Sequence, residues 1–91
     1  MTSDATTNAC MRRPEDLARH IAIVVRQHRR RLGVTQQTLA RMAGCGLVFV
    51  YNIEHGKPSL RFDKLLSVLD VLGLELVVID SGSGVRVGTR R

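Results

Sequence analysis

The sequence predicts an all-α domain of four to five helices that ends in one β-strand, and three observations carry this prediction. Apolar residues recur at helical spacing in successive stretches, each stretch closes on a glycine, and only residues 74–79 form a near-continuous apolar run of strand type. With 91 residues the chain can hold one domain and a small core, which a second copy would enlarge. The domain is expected over 14–80, between a flexible arm at 1–13 and a flexible basic tail at 81–91.

The arm is polar, ends in Arg12-Arg13, and shows no periodicity that could bury a face. Pro14, Glu15 and Asp16 then suit the first turn of a helix. Leu17, Ile21, Val24, Val25, His28 and Leu32 follow at helical spacing up to Gly33, with Arg19, Arg26, Arg30 and Arg31 on the opposite side. Thr35 is a plausible N-cap for a second helix over 36–43, whose apolar stripe is Leu39, Ala40 and Ala43. Gly44 permits the positive φ that ends this helix tightly, and Gly46 can cap the next.

Residues 47–51, Leu-Val-Phe-Val-Tyr, have the composition of a strand. Helical periodicity argues otherwise. It places Phe49, Val50 and Ile53 on one side and Leu47, Val48, Tyr51, Asn52 and His55 on the other. A strand here would need a partner, and the neighbouring segments all read as helices. The third helix is therefore expected from Gly46 to the left-handed cap at Gly56, with Pro58 beyond. A fourth follows on Leu60, Phe62, Leu65, Leu66, Leu69 and Leu72, stopping at Gly73.

Leu74-Glu-Leu-Val-Val-Ile79 reads as a strand buried on both faces, whose backbone groups need partners. Two solutions exist: the same segment of a second chain, or a hairpin onto Val85-Arg-Val87. The short length of 85–87 favours the first, which makes Leu74, Leu76, Val77, Val78 and Ile79 the expected dimer interface.

Charge indicates the kind of partner. The chain carries 14 Lys+Arg against 8 Asp+Glu, a balance that suits a polyanion. Residues 62–80 instead hold four acids and one base, so that region is expected to face something else. Cys10 and Cys45 are too far apart and too few for a zinc or disulfide framework. His20, His28 and His55 lack metal-ligand spacing. No paired-carboxylate or Ser/His/Asp arrangement offers a seat for catalysis, so neither an enzyme nor a cofactor is expected. Without a signal segment or membrane span, a cytoplasmic location is expected.

The stretch "RRRLGVTQQTLARMAGCGLVFVYNIEHGKP" resembles the Xre-type, lambda-repressor-like helix-turn-helix DNA-binding domains. The resemblance spans roughly residues 17–72. The ending "SVLDVLGLELVVID" looks like that of HipB-type antitoxins, in which a strand pairs across a dimer. It implies a homodimeric repressor that binds a double-stranded operator, controls its own operon and holds a HipA-like toxin kinase inactive.

Position by position, the resemblance implies that Gln36 grips a phosphate and that Gln37 reaches phosphate or a base edge. It implies that Leu47, Val48, Tyr51 and Asn52 enter the major groove. Lys57 and Arg61 would hold the sugar-phosphate backbone, and Arg29 and Glu54 would form a structural ion pair. One departure stands out. Gly46, Leu47 and Val48 occupy sites the family usually fills with polar or basic side chains, and leucine and valine can meet only thymine methyls or apolar edges. Reading would then rest on Asn52, Tyr51 and DNA shape. Alternatively, Leu47, Val48 and Tyr51 form an apolar patch for a protein partner.

Overall fold

The computed structural model describes residues 13–79 and 84–89. Four helices, α1 Pro14–Leu32, α2 Gln36–Ala43, α3 Leu47–Glu54 and α4 Phe62–Val71, precede two strands, β1 Leu74–Ile79 and β2 Gly84–Thr89. Of the expected arm over 1–13, residues 1–12 lie outside the described residues, while Arg13 occupies the N-cap position of α1.

Helix boundaries follow local chemistry. Pro14 opens α1 with Glu15 and Asp16 in the first turn, and Gly33 closes it at φ 81°, donating its N–H to the carbonyls of Arg29 and Arg30. The Thr35 hydroxyl accepts the Thr38 N–H at 3.1 Å, which starts α2. Gly44, at φ 70°, ends it. The buried face of α1 is Ala18, Ile21, Ala22 and Val25. The two alanines belong to it although they stand out less than the larger stripe residues. Leu32, expected on the stripe, is exposed at the end of the helix.

Residues 47–54 are helical, with Val50 and Ile53 at 0% and 1% exposure. Burial of these two side chains against the core overrides the strand preference of the local sequence. In α4 the buried residues are Leu65, Val68 and Leu69, whereas Phe62 and Leu66 are exposed. Those two lie four residues apart on the margin of the buried face, so the helix shows an apolar flank to solvent.

The strand pairing corrects the sequence reading. β1 pairs with β2 of the same chain in an antiparallel hairpin, with Leu76 opposite Val87 and Leu74 opposite Thr89. Gly84, Gly88 and Thr89 lengthen the partner beyond 85–87, and a hairpin between sequence neighbours closes at low entropic cost. Residues 84–89, expected in a flexible tail, are therefore a strand. Leu74, expected at a dimer interface, is buried in its own subunit beside Val87, while Leu76 and Val77 are half-buried and Val78 is 81% exposed. Ile79 ends β1, in register with Gly84.

β1 packs on α4 and β2 on α1, while α2 packs on both α3 and α4. One apolar cluster joins them all, running from Ile21 and Val25 through Leu39, Val50, Ile53 and Leu69 to Leu74 and Val87.

Candidate nucleic-acid interface

α2 and α3 are joined by the tight turn Gly44-Cys45-Gly46, in which the Cys45 N–H donates to the Ala40 carbonyl at 2.9 Å. This is a helix-turn-helix arrangement. What fixes α3 relative to the other helices is a buried charge at its last residue.

The Glu54 side chain is 1% exposed. Arg29 Nε donates to its Oε2 at 2.6 Å and Arg29 Nη2 to its Oε1 at 3.1 Å, a two-point contact from α1. Gln36 Nε2 donates to the same Oε1 at 3.0 Å from the start of α2. Arg26 donates to the Glu54 backbone carbonyl at 2.6 Å, and Arg29 also donates to the Val34 carbonyl at 2.9 Å. Three helices thus meet on Glu54, and Arg29 ties the α1–α2 link to the same cluster. Burial alone would push the Glu54 carboxyl pKa up. Hydrogen bonds from Arg29 and Gln36, with the charges of Arg29 and Arg26, outweigh this and hold it below its ordinary value. The partner Arg29 is raised by its hydrogen bond to Glu54.

Burying Glu54 has a second effect. It is the only acid between residues 35 and 61, a segment that also holds Arg41, Lys57 and Arg61. The surface of the α2–α3 unit therefore shows cations and no carboxylate. Arg41 and Lys57 are exposed, and Gln37 lies four residues before Arg41 on the same exposed side of α2. Arg61 is exposed too, but its guanidinium is paired with Asp63 at 2.8 and 3.2 Å.

The outward row of α3 comprises Leu47, Val48 and Tyr51, at 47%, 69% and 49% exposure. Asn52 is half-buried, and its backbone carbonyl accepts the Lys57 N–H at 3.0 Å. Gln36 differs from expectation in its orientation. One amide hydrogen is held by Glu54, so the side chain supports α3 before it can serve any ligand.

His55 belongs to this surface although it was not among the expected contact residues. Its ring stacks on Tyr51 with centroids 3.8 Å apart and planes at 26°, and its Nδ1 lies 2.8 Å from the Tyr51 carbonyl oxygen. The spacing of four residues on the outer face was the available signal. Cys45 is half-buried against the core, and burial pushes its thiol pKa up. No group of His, Cys, Asp and Glu among the described residues could hold a metal ion, and no described helix is long and apolar enough to cross a membrane.

Comparison with known proteins agrees with this geometry. Residues 20–81 match the family described as a helix-turn-helix domain. An uncharacterized HTH-type transcriptional regulator of Sinorhizobium fredii is 37% identical over 62 residues, covering 68% of this chain and 82% of that protein.

Proposed function

The chain belongs to the helix-turn-helix domain family, and from that premise we propose that it is a DNA-binding transcriptional regulator whose α3 lies in the major groove of an operator. The observation that carries this reading is the exposed outer row of α3, borne by a segment, residues 35–61, whose one acid is the buried Glu54. Lys57, Arg61, Arg41 and Gln37 flank that row and hold phosphates, while Asn52 and Tyr51 approach base edges.

The regulator works in the cytoplasm as a homodimer, not as an enzyme. Two copies of α3 meet half-sites about 34 Å apart on a near-palindromic operator and repress by occlusion. The exposed apolar side chains Phe62, Leu66 and Val78 support a second copy seated along α4 and β1. β2 occupies one edge of β1 among the described residues, and the other edge suits a strand of the partner copy. The resemblance of "SVLDVLGLELVVID" to HipB-type endings supports an antitoxin that also holds a toxin kinase. Co-expression with a kinase-like neighbouring gene tests that role: co-purification of the two is expected, and separate elution excludes it.

Electrophoretic mobility of the protein's own promoter tests the main reading. A shift is expected at low salt, with a footprint covering two half-sites one helical turn apart. Asn52→Ala should weaken the complex by about 1–3 kcal/mol. A promoter that never shifts at low salt would instead favour a protein-interaction module built on Leu47 and Val48.

A further inference from the structure

The first turn of α3 is the part of a recognition helix that reaches base edges, and here it presents only hydrocarbon. Gly46 caps it without a side chain, and Leu47 and Val48 follow as its first two residues. Neither serves the core, which takes Val50 and Ile53 from this helix instead. Val48, at 69%, is among the most exposed apolar side chains of the fold. Tyr51 continues the row one turn later.

The setting of this row identifies what covers it. No carboxylate is displayed between residues 35 and 61, and Arg41 and Lys57 are exposed in the same segment. A polyanion therefore fits the rim and an apolar group fits the centre. In the major groove only one ordinary base offers such a group, thymine, through its C5 methyl. A G·C pair in the same place would lose water from donors and acceptors that leucine and valine cannot satisfy.

We infer that Leu47 and Val48 read pyrimidine 5-methyl groups, so that each half-site is specified at these positions by methyl burial rather than by hydrogen bonds. This rests on the regulator reading above and gives it a base preference. The same contact accepts 5-methylcytosine, which places its methyl at the same ring position, and rejects plain cytosine. Binding at such positions depends on the methylation of the DNA.

The experiment starts from a randomised duplex library enriched with the full chain at low salt. Each thymine of the best duplex is then replaced singly by deoxyuridine, which keeps every hydrogen-bonding edge and removes only the methyl. At one or two positions per half-site the dissociation constant is expected to rise roughly fourfold for each methyl lost. Val48→Ala and Leu47→Ala, both on the surface and checked for helix content by circular dichroism, should weaken the thymine duplex and erase its advantage over the uracil duplex. Placing 5-methylcytosine at a responsive position should bind more tightly than plain cytosine there. A selected duplex that binds equally with thymine and uracil at every position overturns the inference and leaves the regulator reading intact. Salt-dependent binding with no enriched sequence does the same. Failure to bind any duplex at low salt removes both.

Discussion

Glu54→Ala is expected to destabilise the domain by about 3–5 kcal/mol, because it leaves the Arg29 guanidinium partly buried without its counter-charge. Urea unfolding followed by circular dichroism measures this. The side chain is 1% exposed and accepts from Arg29 and Gln36, so three hydrogen bonds go with it. Changing both partners, Arg29→Leu with Glu54→Leu, should recover a large part of the loss, since no charge is then stranded. The pair also sets a pH dependence. Its folded pKa is depressed, so the contribution is complete above the ordinary value of 4.5 and is lost as pH falls through the lower folded value. Wild type should therefore weaken in acid more steeply than Glu54→Ala. Equal stability of the two at neutral pH would refute the architectural role of the pair.

Affinity for the operator should fall about a thousandfold between 50 and 200 mM monovalent salt, assuming about six phosphates neutralised by Arg41, Lys57 and Arg61 of two subunits. Binding isotherms at several salt concentrations give the slope. Lys57→Ala should reduce that slope by about two for the dimer while weakening all sequences alike. Arg61 is the least free of the three, because Asp63 competes for its guanidinium. A slope close to zero would mean that the carboxylate-free surface does not sit on phosphates, and the apolar row would then be left to a protein partner.

The helical part of this fold was legible because its signals are local. Thr35 as a cap, the glycines at 33, 44 and 56, and the two-sided division of residues 47–54 each depend only on near neighbours. The segment 47–51 was the hard case, and periodicity decided it where composition misled. The strand pairing was misread because 85–87 is short and its flanking glycines look like a tail, while the gain from burying Leu74 and Val87 is a tertiary effect. At the interface, the outward placement of Leu47, Val48 and Tyr51 followed from helical geometry. The hydrogen bond from Gln36 to Glu54 did not, since the two lie 18 positions apart. Nor did the ring stack of Tyr51 with His55, which depends on rotamers that spacing permits without dictating.

The sequestered acid at the end of α3 also bears on kinetics. With Glu54 inside, Arg41 and Lys57 are exposed with no carboxylate displayed by their own segment, while Asp70 and Glu75 are exposed on α4 and β1. Fixed positive charge displayed without a neighbouring carboxylate is expected to steer an approaching duplex and to raise the association rate at low salt. Selectivity among polyanions is thereby shifted toward the rate of encounter, and the lifetime of the complex is left to whatever lies on the groove floor.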